Sequence, residues 1–156
     1  MRFVITGEWS RNRLLQTIVV LYVLYVAMLW VTNALLYFDR MSLDPASVVA
    51  YYAGDEASFR SPRSYPGLLE VSHFHLFAIG MLLMVLTHLT LFLPLGGRTK
   101  AWLLAVPFVS GVVSEGAGWE VRYGGSGFAV VKVAGFLLLQ TSLAVLIGVA
   151  LWSVFV

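Results

Sequence analysis

Four residues of one long apolar segment carry side chains suited to chemistry: Glu70, His73, His75 and His88. The chain has three histidines, and all of them lie in this segment. Imidazole exchanges protons near neutral pH and ligates metals and haem iron. Ionisable groups inside a membrane span are rare, and each is by default a candidate functional site. The segment therefore predicts a cofactor, metal or proton-handling site.

Helical geometry sorts these residues into two faces. At about 100° per residue, Glu70, His73 and His88 fall on one stripe, with Phe77, Gly80 and Met84 between them. His75 lies about 200° from His73, on another face. At about 1.5 Å per residue, His73 and His88 are roughly 22 Å apart, so the stripe offers imidazoles at two levels.

This two-level placement resembles the haem-bearing helices of b-type cytochromes and makes haem b one candidate cofactor, with His73, His88 or His75 as axial ligands. Bis-imidazole ligation needs a second histidine from a facing helix. The other long segments contain none. The second ligand must come from His75, a methionine, the second copy in a homodimer, or another subunit.

A metal ion of the Zn, Cu or Fe type is the other candidate, with Glu70, His73, His75 and Glu115 as its ligands. Glu70 and His73 form an E-x-x-H pair on one face, and Glu115 is expected to reach the same membrane level. Such nitrogen and oxygen donors suit these ions. The single E-x-x-H copy argues against a di-iron bundle, which uses two.

Structural roles compete with each of these assignments. Glu115 and Lys132 can form a buried ion pair that joins the third and fourth spans. His75 can be an interfacial histidine hydrogen-bonded to a neighbour, and His88 can bond to backbone or face head groups. The sequence leaves these alternatives open.

Composition indicates a membrane protein, since 60% of the 156 residues are hydrophobic and 12% are charged. A membrane helix needs about 20 apolar residues. We predict an all-α fold, an antiparallel four-helix transmembrane bundle that forms a single membrane domain over residues 1–156. The predicted spans cover residues 14–37, 67–93, 101–118 and 128–155.

The connections complete this topology. Asp44-Pro45 and Gly54 bracket a predicted short interfacial helix in the first outer loop. A very short turn at Arg98–Lys100 joins the second and third spans. The first apolar run is too long for a signal peptide, so we expect it to be retained. Arg11 and Arg13 flank it and favour both termini in the cytoplasm.

Several functions are excluded at this stage. The chain has no cysteine, which removes disulfides, thiolate sites and covalent c-type haem attachment. Its formal charge of +2 and its lack of a basic run give no support for nucleic-acid binding. Neither G-x-S-x-G nor H-E-x-x-H is present.

Three stretches resemble a set of small, uncharacterised four-span bacterial inner-membrane proteins: Tyr51–Glu56, Ser64-Tyr65 and Leu68–Phe77, the last reading L-L-E-V-S-H-F-H-L-F. Those proteins share an E-x-[ST]-H-x-H start to the second helix and a histidine at the position of His88. The resemblance implies that Glu70, His73, His75 and His88 act together, in a redox setting with c-type cytochromes.

The sequence therefore predicts a redox-linked subunit of the bacterial inner membrane, embedded in lipid as a homodimer or part of a larger complex. Electron transfer or an accessory role is favoured over a stand-alone enzyme. The alternative is a non-catalytic structural or assembly subunit, in which the same polar residues lock helices together.

Overall fold

The computed structural model describes residues 12–154 and confirms the all-α architecture. Within this range the chain forms five helices: α1 Arg13–Arg40, α2 Pro45–Ala53, α3 Tyr65–Thr90, α4 Gly97–Tyr123 and α5 Phe128–Trp152. Arg11, which flanks the first predicted span, and Phe155, at the end of the last one, lie outside the described residues.

Helices α1, α3, α4 and α5 are each long and apolar enough to cross a membrane. They contain 25 to 28 residues, or roughly 37–42 Å at 1.5 Å per residue, against a hydrocarbon core of about 30 Å. Much of their apolar surface is exposed, as at Leu21, Tyr25 and Val112. Such a surface suits lipid tails, and the four-span bundle is confirmed.

The helix ends differ from the predicted spans. Helix α3 ends at Thr90, and Arg98–Lys100, predicted as a turn, form part of the first turn of α4. Helix α4 continues to Tyr123, beyond the predicted end at residue 118. Hydropathy predicts where a segment leaves the hydrocarbon core. Backbone hydrogen bonding can continue the helix beyond that point, into the head-group layer.

The short helix α2 has the predicted boundaries. The Asp44 side chain accepts a hydrogen bond from Ala46 N at 3.0 Å, with Pro45 at the first helical position. Gly54 ends the helix with φ +89°, a conformation that favours glycine, and a Cβ there would lie 2.8 Å from the Arg60 carbonyl oxygen. This tight turn starts the loop that leads back to α3.

We call the end of the bundle that carries α2 the α2 end. Helices α1 and α4 finish there, and α3 and α5 start there. Two buried clusters build the interior: one around Val23, Leu86 and Leu146 in the opposite half, and one around Val48 and Phe136 at the α2 end. The candidate site lies beside the second cluster.

Helices α4 and α5 make the closest contact in the bundle. A Cβ on Gly135 would lie 3.0 Å from Ser114 Cα and 3.1 Å from Ser114 N. Small residues allow such backbone approach in membrane bundles. Helix α1 is held more loosely, by Tyr22 Oη donating to Leu82 O at 2.8 Å and Trp30 Nε1 donating to Gln140 O at 3.0 Å.

Candidate functional site

A hydrogen-bonded network joins α3 to α4 within the membrane. Ser72 Oγ donates to Glu115 Oε1 at 2.7 Å, and Trp119 Nε1 donates to Ser72 Oγ at 2.7 Å. His75 Nδ1 lies 3.2 Å from Glu115 Oε2. Ser72 and His75 are three residues apart and so share a helix face. The Glu115 carboxylate is thus bonded through both of its oxygens.

When Glu115 is ionised, its carboxylate sets the hydrogen-bonding role of His75. A carboxylate accepts hydrogen bonds and donates none, so Nδ1 of His75 must carry the proton it shares with Glu115. A neutral imidazole then presents Nε2 as an acceptor. The His75 side chain is 46% exposed, compared with 15% for Glu115. The predicted hydrogen-bonded role of His75 is confirmed, with a carboxylate on another helix as its partner.

Lys132 occupies the same region but does not form the predicted ion pair with Glu115. Its Nζ donates to the Ser114 carbonyl oxygen at 2.7 Å and lies 5.7 Å from the centre of the Tyr52 ring. Within residues 12–154 the one carboxylate–base contact shorter than 4 Å is His75–Glu115. The Gly135 contact brings Lys132 to Ser114, whereas Glu115, one residue on, points about 100° away toward α3.

A cavity of about 170 Å³, called here the cluster cavity, opens beside this network. All five helices line it, α1 with Asn33 and Arg40 and α5 with Lys132. His75 and Glu115 also border a second, more apolar cavity of about 140 Å³ between α3 and α4. The carboxylate–imidazole pair therefore borders both a cavity with several polar lining groups and a second cavity that is almost wholly apolar.

Tyr52 closes the cluster cavity from the α2 end. Its ring is buried and packs so closely on α4 that a Cβ on Gly118 would lie 2.9 Å from three of its atoms. Burial, with the Glu115 charge second, raises the pKa of Tyr52, and its phenol stays neutral. The cavity thus has a neutral phenol and the Lys132 ammonium near its carboxylate.

The predicted Glu70, His73 and His88 stripe lies on the outside of the bundle. All three side chains are exposed, as are Phe77 and Met84 between them. The structure brings His75 and Glu115 together and leaves Glu70 and His73 apart from them. In the described part of the chain no group of three His, Asp or Glu side chains is placed to hold a metal ion.

Ser72 and Trp119 are site residues that the sequence reasoning missed. Ser72 precedes His73 directly in the sequence, but it shares a helix face with His75, three residues on. Trp119 lies one residue beyond the third predicted span, which covers residues 101–118, whereas α4 is helical through Tyr123. The signal for Ser72 was its spacing from His75, since polar side chains of membrane helices face the interior of a bundle.

The chain belongs to the transmembrane helical domain family Aq_1264_TM, whose profile matches residues 42–156. The match begins just before α2 and takes in α3, α4 and α5, the helices that supply the hydrogen-bonded network. No curated protein and no solved structure matches the chain. The family and the fold agree that this is a multi-pass membrane protein.

Proposed function

We propose that the protein is a redox-linked integral membrane subunit whose cluster cavity binds the ring of a membrane quinol. The observation that carries the proposal is a carboxylate–imidazole pair, 3.2 Å apart, in the wall of a cavity inside a membrane bundle. A quinol combines an apolar ring, solubility in the bilayer and two hydroxyl groups that lose protons on oxidation. The cavity offers partners for each of these properties.

Size and polarity support this substrate class. An apolar protein cavity of roughly 150 Å³ holds benzene, so a cavity of about 170 Å³ has room for one six-membered ring. Ligand sites are mostly apolar with a few placed polar groups. Ile79, Phe136 and Leu139 supply the apolar wall, and Asn33 and Lys132 supply polar groups opposite His75.

The proton chemistry follows from the state of His75. Glu115 holds the Nδ1 proton, so Nε2 accepts the first proton from the quinol hydroxyl, and the carboxylate stabilises the imidazolium that forms. Oxidation to the quinone releases two electrons and a second proton, which passes to water at the α2 end. The electrons go, one at a time, to a haem-bearing partner.

That partner is proposed to meet the exposed face of α3. All three histidines of the chain lie on this one helix, so a bis-imidazole haem b does not fit within a single chain. Between two chains, His73 or His88 would supply one imidazole to a haem b, and a second copy or another subunit would supply the other. A partner c-type cytochrome is the alternative electron acceptor.

We also propose that the protein lies in the bacterial inner membrane, with both termini in the cytoplasm. The α2 end then lies on the outer side, where c-type cytochromes work. Arg13, which flanks the first span, favours this orientation. The quinol oxidation site would release its protons outward.

The quinol site is tested by binding a short-tailed quinol to the protein in lipid nanodiscs. We expect His75→Gln to weaken binding about tenfold, the value of one good hydrogen bond. His73→Gln, two residues away on the exposed face, is the matched control and should bind normally. Equal affinity of the His75→Gln and wild-type proteins would refute the site.

A non-catalytic assembly subunit is the second candidate, favoured by the exposure of Glu70, His73 and His88 on one face. Ionisable groups facing lipid are costly, so a covering partner is expected. The double variant His73→Leu with His88→Leu separates the two functions, with Met84→Leu on the same face as control. A redox subunit loses a Soret band or a stoichiometric Zn, Cu or Fe ion; an assembly subunit loses only its partner on native gels.

A further inference from the structure

A basic pocket lies at the α2 end, outside the cluster cavity. It has a volume of about 500 Å³ and is lined by Arg40 from the end of α1, Tyr51 from α2, and Arg60 and Arg63 from the loop before α3. One carboxylate, Asp39, also lines it. Three guanidinium groups against one carboxylate give the pocket a net positive charge.

Two of these guanidinium groups converge on a single atom. Arg40 Nη1 donates to Tyr51 Oη at 2.8 Å, and Arg63 Nη2 donates to the same oxygen. The Arg63 guanidinium also stacks on the Tyr51 ring, with its Cζ 4.2 Å from the ring centre. Each guanidinium has five N–H donors, so most of their hydrogen-bonding capacity remains for another acceptor.

The loop that carries Arg60 and Arg63 is held in place by its backbone. Asp55 and Arg60 exchange two backbone hydrogen bonds of 2.9 Å, and Arg63 N donates to Tyr52 O at 3.0 Å. The Arg63 carbonyl in turn accepts from Arg122 Nε at 2.9 Å. The backbone of Arg60 and Arg63 is therefore held in place before any ligand arrives, which lowers the entropic cost of ordering the loop on binding.

Among the described residues, the arginine side chains of the pocket lack a carboxylate partner. Across residues 12–154 no carboxylate lies within 4 Å of an arginine side chain, since the one contact of that kind involves His75. The Arg40 and Arg63 guanidinium groups are like charges directed at one phenol oxygen, and an anion bound between them would offset their mutual repulsion. Planar guanidinium groups bind phosphate and carboxylate through paired hydrogen bonds, and arginine clusters are common phosphate sites.

We propose that this pocket binds a phosphate group. Arg40 ends a helix of 28 residues, roughly 42 Å long, so it lies beyond a 30 Å hydrocarbon core, at the depth of lipid phosphates. The phosphate belongs either to an anionic phospholipid or to a free phosphorylated molecule. This inference is independent of the quinol proposal, although Arg40 and Tyr51 also line the cluster cavity.

The test uses full-length protein in a non-ionic detergent, supplied with either phosphatidylglycerol or inorganic phosphate. Retained lipid is counted by native mass spectrometry, and phosphate binding is followed by the thermal unfolding midpoint at constant ionic strength. We expect the double variant Arg40→Gln with Arg63→Gln to weaken binding by at least about tenfold for whichever probe binds the wild-type protein. Arg98→Gln, which removes one charge at the opposite end of the bundle, should leave it unchanged.

The two probes distinguish a lipid phosphate from the phosphate of a soluble molecule. Arginine-dependent retention of phosphatidylglycerol assigns the site to lipid, and an arginine-dependent response to inorganic phosphate alone assigns it to a soluble ligand. Arg60→Gln tests the same site without disturbing Tyr51, because the Arg60 side chain is exposed and bonds to neither Tyr51 nor the loop. The proposal fails if every arginine variant binds both probes as the wild-type protein does.

Discussion

Replacing Glu115 by leucine is expected to lower the free energy of unfolding by about 3 kcal/mol. The carboxylate accepts from Ser72 at 2.7 Å and pairs with His75 at 3.2 Å. Leucine removes both bonds and leaves a buried Ser72 hydroxyl without its acceptor, where water cannot replace it. Lys132 also loses the nearest negative charge. We expect a smaller loss of unfolding free energy than for a fully buried ion pair, because the His75 side chain is half exposed.

Glutamine at position 115 gives the contrasting result. Its amide keeps the shape of glutamate and accepts from Ser72, so the unfolding midpoint in detergent should stay close to that of the wild-type protein. The amide nitrogen then faces His75 Nδ1 and donates to it, which leaves the His75 proton on Nε2 and removes the acceptor for the quinol hydroxyl, so quinol binding should weaken about tenfold. Glu120→Leu, at an exposed position of the same helix, is the control. Equal destabilisation by Glu115→Leu and Glu120→Leu would contradict the assignment.

The membrane topology was accessible from sequence because it depends on the length and composition of segments. The face of α3 that points to the interior of the bundle could not be predicted from the sequence. In a soluble helix the apolar stripe faces the core, but lipid is as apolar as a core, so both faces of a membrane helix carry the same residue types. Two polar stripes of α3 competed, one with His73 and one with His75. Only contacts with another helix, here Glu115 and Trp119, decide between them.

The Lys132 contact shows a second limit. Sequence placed Lys132 and Glu115 at one membrane level, and the structure agrees on the level. A rotation of one residue, about 100°, decides whether the ammonium meets the carboxylate of Glu115 or the carbonyl of Ser114. The rotation is set by the point at which Gly135 lets α5 approach α4. This point depends on how the two helix surfaces fit together, so neither sequence segment alone can predict it.

Enlarging Gly135 should therefore disrupt both the fold and the site. A Cβ there meets backbone atoms of Ser114 at 3.0 and 3.1 Å, and backbone gives way less readily than a side-chain tip. We expect Gly135→Ala to lower stability by about 1–3 kcal/mol through overpacking. Gly135→Leu should cost more and separate α4 from α5. Thermal unfolding of the purified protein measures both.

Gly148 supplies the matched control on the same helix. It is exposed, and a Cβ there meets no atom within 4 Å, so Gly148→Ala and Gly148→Leu should leave the unfolding midpoint nearly unchanged. Gly135→Ala should also lengthen the hydrogen bond between Lys132 and the Ser114 carbonyl, because the added methyl group pushes α4 and α5 apart at this point. Quinol affinity should then fall with stability in Gly135→Ala and stay constant in Gly148→Ala. If the two alanine variants behave alike, close approach at Gly135 does not position the site.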